Sequence, residues 1–133
     1  MSVALNHIIV LASDRWASAR FLADILGATA GPEWGPFVSV RVDNGVTLDF
    51  MDADADSVQP MHCAFLVSDA EFDAGLAKLQ SGGVPIYAGP HGDGPGEINH
   101  LYGGRGVYFH DPNGHLLELI TAPYTENRAT IGG

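Results

Sequence analysis

The chain is written twice, and that repetition limits its fold more than any other feature. Residues 6–22 read NHIIVLASDRWASARFL, and residues 61–77 read MHCAFLVSDAEFDAGLA. Aligned on their histidines, His7 falls on His62, Leu11 on Leu66, Ser13-Asp14 on Ser68-Asp69, and Ala19 on Ala74. A second match closes each copy. Residues 44–50 read NGVTLDF and residues 113–119 read NGHLLEL, so Asp49 falls on Glu118. The offset widens from 55 (62 − 7) to 69 (118 − 49), so the second copy carries an insertion. The Gly- and Pro-rich residues 87–105 are where it fits.

Each copy reads as a strand, a helix and then further strands. In the first, residues 4–11 form a strand, and Ser13 or Asp14 caps a helix ending near Gly27. Residues 37–42 and 46–51 form a hairpin around Asp43-Asn44-Gly45, a strong turn signal. In the second, residues 61–66 form a strand. Asp69 is expected to cap a helix that places Phe72, Leu76 and Leu79 on one face and stops at Gly82-Gly83. Strands are expected at 84–88, 106–110 and 116–121, with Asp111-Pro112-Asn113-Gly114 as the last turn. The 133 residues suit one domain: a module at about 1–55, a linker at 52–60, a module at about 61–122 and a polar tail at 123–133.

Composition removes several function classes. Six basic residues against 16 acidic ones, a net charge of −10, cannot track a phosphate backbone or an anionic membrane. No stretch approaches the roughly 18 apolar residues of a membrane span. The first residues lack the basic start of a signal peptide. Cys63 is the sole cysteine, so no intrachain disulfide is possible. It is expected to be buried and inert. The expectation is a cytoplasmic protein that handles a small molecule.

The duplicated positions carry unusual residues. Glu118 lies between Leu117 and Leu119, with Leu116 and Ile120 on its own side by strand alternation; Asp49 lies between Leu48 and Phe50. A carboxylate in such surroundings is costly unless it meets a cation. No lysine or arginine is adjacent to His7, Asp49, His62 or Glu118. A metal ion is the more economical partner. A lone histidine at a strand start is usually structural, but four such residues at matched positions point to a site. Two imidazoles with one or two carboxylates suit divalent Fe, Mn, Ni, Co or Zn.

The segments NHIIVLASD, MHCAFLVSD and FHDPNGHLLELI together resemble the vicinal oxygen chelate superfamily. That group includes glyoxalase I, extradiol dioxygenases, fosfomycin-resistance thiol transferases and bleomycin-resistance proteins. The resemblance covers almost the whole chain. It implies an α+β fold of two tandem βαβββ modules forming a U-shaped mixed sheet around a central metal, commonly in a homodimer. It further implies His7, His62 and Glu118 as metal ligands. Asp49 stands where glyoxalase I carries a fourth ligand, a glutamate, and its shorter side chain departs from that pattern. We expect direct or one-water contact between Asp49 and the metal.

In such proteins the metal binds a substrate through two adjacent oxygens. Glyoxalase-like lyase or isomerase chemistry, with Glu118 or Asp49 as base, is the first expectation. Ring cleavage by an Fe(II) dioxygenase is the alternative, and a drug-binding protein of the bleomycin-resistance kind is a third. Tyr102 and Arg105 follow the inserted loop and are candidates to bind substrate, with Trp34 and Phe37 as pocket walls. His91, His100 and His110 read as surface or turn residues, and His115 alternates away from Glu118. The chain has no Gly-rich phosphate loop and no nucleophile elbow.

Overall fold

The computed structural model describes residues 2–124, and the expected tail beyond Tyr124 lies outside them. The chain divides into two compact units. The first runs to Met61 and also takes in Asp111–His115; the second holds His62–His110 and continues from Leu116.

In the first unit the order is β1 (His7–Ala12), α1 (Arg15–Leu26), β2 (Ala30–Trp34), β3 (Phe37–Arg41) and β4 (Thr47–Asp52). The sheet runs β1-β4-β3-β2, with β1 parallel to β4 and the other pairs antiparallel. Asp14 starts α1, its Oδ1 accepting from the backbone N–H groups of Trp16 and Ala17 at 3.1 Å. Gly27 ends the helix at φ 68, a left-handed position that costs glycine little. Ala19, Leu22, Ala23 and Ile25 of α1 are buried, as are Val10, Val38, Val40, Leu48 and Phe50 of the sheet it packs on. Each large aliphatic side chain buried this way contributes roughly 1.5–3 kcal/mol. Strand β2 was not expected from the sequence. Gly31-Pro32 interrupts its pattern, and a proline is tolerated there because β2 is an edge strand.

In the second unit β5 (His62–Leu66) leads to α2 (Asp69–Ser81), then β6 (Gly106–His110) and β7 (Leu116–Ile120), with sheet order β5-β7-β6. Again the first strand is parallel to the last. Its core holds Phe72, Leu79, Val107, Phe109, Leu117 and Leu119. Two details differ from expectation. Ser68, not Asp69, caps α2: Ser68 Oγ accepts from Glu71 N–H at 3.1 Å, and Glu71 Oε1 accepts from Ser68 N–H at 2.8 Å. Residues 84–88 form no strand. Tyr87 makes single bridges to Tyr108 and Pro95, and the N–H of Ala88 turns toward Asp93 and Gly94 instead. Pro85 has no N–H to give a ladder.

The α+β reading from the repeats and the resemblance therefore stands, in mixed sheets of four and three strands. Asn44-Gly45 and Asn113-Gly114 both make the turn expected of them, with φ 87 at Gly45 and φ 85 at Gly114. Among the described residues no helix is long and apolar enough to cross a membrane.

Candidate metal centre

The repeat is realised in sheet register. In the second unit Glu118 pairs with Ala64, two residues after His62. In the first, Asp49 pairs with Ile9, two residues after His7. Each histidine therefore projects from the same sheet face as the acid one strand over. On the other flank Tyr108 of β6 pairs with Glu118, and Ser39 of β3 pairs with Asp49.

Glu118 is 1% exposed. His62 Nε2 lies 3.1 Å from its Oε1. The Tyr124 hydroxyl donates to the same carboxylate, 3.2 Å from Oε1 and 3.4 Å from Oε2. Tyr108, itself buried, also hydrogen-bonds it, and its ring stacks on His62 with centroids 6.0 Å apart. Burial pushes the Tyr108 phenol well up from its ordinary value, and the charge of Glu118 adds to this. The Tyr124 phenol is raised for the same two reasons. Both phenols thus remain protonated donors toward the carboxylate.

The tautomer of His62 bears on what the pair can hold. Its Nδ1 lies 3.1 Å from the carbonyl oxygen of Leu116 and donates to it. With Nδ1 so engaged, Nε2 is the ring nitrogen that faces the Glu118 carboxylate. An imidazole nitrogen and a carboxylate oxygen are both ligand types that a divalent ion would take. The donor types fit a metal.

In the first unit His7 sits at the exposed start of β1, its Nδ1 donating to Asn6 Oδ1 at 2.8 Å. Asp49 is half-buried, and Ser39 Oγ donates to its Oδ1 at 2.7 Å. Among the described residues no three His, Cys, Asp or Glu side chains form a group that could hold a metal. The pair His62–Glu118 is what the chain itself brings together.

The candidate substrate contacts divide. Tyr102 lies in a short 3-10 turn, Leu101–Gly103, at φ 58, a conformation a tyrosine rarely adopts. Its ring packs on that of Tyr124, centroids 4.9 Å apart. Arg105 is engaged elsewhere: its guanidinium meets Asp69 at 2.9 Å and Asp73 at 2.7 Å and lies 4.5 Å over the Phe72 ring. Those two acids hold its pKa above the ordinary value. Trp34 and Phe37 stack at 5.9 Å, with Trp34 71% exposed. His91, His100 and His110 are exposed, and Cys63 is half-buried.

Sequence reasoning missed Tyr108, Tyr124 and Ser39. Strand alternation alone puts Tyr108 on one side of β6, but which residue it meets depends on register. Tyr124 stands past the last strand, in residues read as a polar tail.

The sequence model of the Glyoxalase/Bleomycin resistance protein/Dioxygenase superfamily matches residues 4–119. The chain belongs to this superfamily. Two solved structures are more than half identical to it over the aligned residues. The oxidase ChaP-H2 is 52% identical, with a TM-score of 0.90 over 93% of this chain and 97% of the other. The oxidase ChaP-H1 is 54% identical, with a TM-score of 0.89 over 92% and 98%. The glutathione transferase FosA of Serratia marcescens is 30% identical over 126 residues, 90% of this chain and 81% of its own. These superfamily relatives are enzymes by name.

Proposed function

We propose that this superfamily member is a divalent-metal-dependent oxidase, using oxygen on a small molecule that presents two adjacent oxygens. The observation that carries the reading is the identity to two oxidases over more than nine-tenths of both chains. The transferase match is weaker. The balance therefore moves from glyoxalase-like lyase chemistry, the first expectation from sequence, toward the oxygen-using alternative.

In this reading His7, His62 and Glu118 hold the metal, and Fe(II) is the ion that suits two histidines, one carboxylate and oxygen. When bound, the metal supplies Lewis acidity toward the substrate oxygens and a site for oxygen. The chain's own residues do the rest. Tyr108 and Tyr124 orient the Glu118 carboxylate by hydrogen bonds. The Leu116 carbonyl engages His62 Nδ1, so Nε2 faces the Glu118 carboxylate. Asp49, fixed through one oxygen by Ser39, would hold the metal directly or through one water, or serve as the base for a substrate hydroxyl. Tyr102, Trp34 and Phe37 offer aromatic surface to the substrate. Arg105, paired with two acids of α2, anchors that helix.

A homodimer belongs to the same proposal. Ile9, Trp34 and Leu66 are apolar side chains left exposed at 46%, 71% and 60%. Sheet faces of that kind favour pairing. Sedimentation at micromolar concentration should show a dimer.

The test is oxygen uptake by iron-reconstituted protein over a panel of catechols and hydroxyquinones. Uptake that disappears in Glu118→Ala and His62→Ala is the expected result. Turnover of a 2-oxoaldehyde thiol adduct with no oxygen uptake would return the reading to the lyase.

A further inference from the structure

We propose that Arg41 is a substrate-binding residue, and that the ligand of the first unit's open sheet face is an aromatic acid whose anionic group it takes. Strand β3 reads Phe37-Val38-Ser39-Val40-Arg41. Val38 and Val40 are fully buried. Phe37, Ser39 and Arg41 point to the opposite face by strand alternation. Register across the sheet gives that face three rows. The first is Trp34, Phe37, Met51 and Leu11, apolar on all four strands. The second holds Ser39 and Asp49, joined by a hydrogen bond of 2.7 Å. The third is Arg41, Thr47 and His7. Neighbouring rows are two residues apart, about 7 Å, so Phe37 and Arg41 stand about 13 Å apart along one strand.

Arg41 is exposed and meets no acid among the described residues. The other arginines there are engaged. Arg15 and Arg105 each hold two acids, and Arg20 lies 4.7 Å over the Trp16 ring. In a chain of net charge −10, an unpaired guanidinium is a local exception to the surrounding field. Its Nη2 lies 3.6 Å from the place where a Cβ on Gly45 would stand, so the turn at φ 87 leaves space for the head at the rim of the face. The fork of a guanidinium matches the paired oxygens of a carboxylate, sulfate or phosphate. Order along β3 therefore sets order in the ligand: an apolar ring on Trp34 and Phe37, oxygens beside Ser39 and Asp49, and an anion at Arg41. This role deepens the oxidase reading and rests on it only for the fate of those oxygens. Arg41 takes the part that sequence gave to Arg105, whose guanidinium is held by α2.

The test uses the full chain with a chelator present, at a pH well above the ordinary histidine value of about 6.5. The probes are 3-hydroxy-2-naphthoate, followed by its own fluorescence, and the methyl ester of the same acid. The chain's negative charge favours the uncharged ester, so a preference for the acid needs a local cation. We expect the acid to bind about 10-fold more tightly than the ester, the weight of one charge-assisted hydrogen bond. Arg41→Gln should abolish that preference and leave the ester's affinity unchanged, and Arg41→Lys should restore part of it. Arg20→Gln, which removes a cation on α1, should leave it intact. Trp34→Ser should weaken acid and ester alike, because it removes ring contact and no charge. A parent that binds the acid no better than the ester, or binds neither, would overturn the assignment, as would a preference that survives in Arg41→Gln. A second copy of the chain is the rival occupant of this face. Probe affinity that falls as protein concentration drives dimerisation would give the face to that copy and overturn the assignment too. Oxygen uptake by the iron-loaded protein is read separately. Its absence with the preference intact ends the oxidase reading and leaves Arg41 as the anion contact; its presence with no preference does the reverse.

Discussion

The two units place an acid at the same register point and surround it differently. In the second unit Glu118 is fully buried and meets a histidine and two tyrosines. In the first unit Asp49 is half-buried and meets one serine, while His7 turns to its neighbour Asn6. Duplication copied the backbone positions. Side-chain length and cross-strand partners then diverged. A carboxylate one methylene longer reaches His62, and a tyrosine in place of a serine brings a large ring and a donor. Within its own unit, each acid therefore has a different set of partners: a histidine and two tyrosines for Glu118, a serine for Asp49.

That contrast can be broken first at Glu118. Glu118→Gln removes the buried charge while keeping shape, and metal affinity should fall by about 100-fold or more, beyond the 10–100-fold typical of residues that only support a ligand. The metal dissociation constant measures it, and a change below 10-fold would make the two acids equivalent. The next effect is smaller. Asp49→Ala should weaken metal binding by about 10-fold, consistent with a contact direct or through one water. An unchanged constant, with His7→Ala losing metal as control, would remove the first copy's acid from the site.

A third substitution sharpens why the second acid differs. Tyr124→Phe deletes one of its hydroxyl donors, at the long distances of 3.2 and 3.4 Å. One such hydrogen bond is worth about 1 kcal/mol, so metal affinity should change by about 5-fold. A loss as large as that of Glu118→Gln would mean Tyr124 shapes the whole half-site.

The smallest effect lies in the helices. Helix α1 is capped by Asp14 alone, whereas α2 has the reciprocal Ser68–Glu71 pair. Hydrogen bonds from the Ser68 backbone and side chain hold Glu71 below its ordinary pKa. A carboxylate lowered in the folded state contributes stability above its unfolded value of about 4.3, and the contribution is lost as pH falls through the folded value. Amide exchange in the first turn of α2 should therefore speed up in acid below that range. In Glu71→Gln, which keeps the pairing without the charge, that part of the pH dependence should vanish.

Much of this arrangement is legible from residues alone. The matched His-strands, the Asn-Gly turns and the helix starts and stops are local patterns, written within a few residues of where they act. Helix caps need only a side chain and the next turn of backbone, so the start of α1 could be narrowed to Ser13 or Asp14, and the structure has Asp14. The error at α2 was one residue, because Ser68 and Asp69 are both good caps and only Glu71 at the right spacing chooses Ser68. The two histidines and two acids at duplicated positions, the candidate ligands, were also written in the chain.

What only the tertiary structure decided involves residues far apart in sequence. Tyr108 meets Glu118 through the register of β6 on β7, and Tyr124 reaches back to it from beyond the last strand. Arg105 looked like a substrate contact on its loop, yet Asp69 and Asp73 lie one helical turn apart and together hold its guanidinium. His115 looked only like a residue facing away from Glu118. Its two bonds run to Met61 and Leu11, which no pattern in the neighbouring sequence announces. Local rules specify which groups a segment presents. Which of those groups become partners depends on strand pairing and burial, and both are properties of the folded chain.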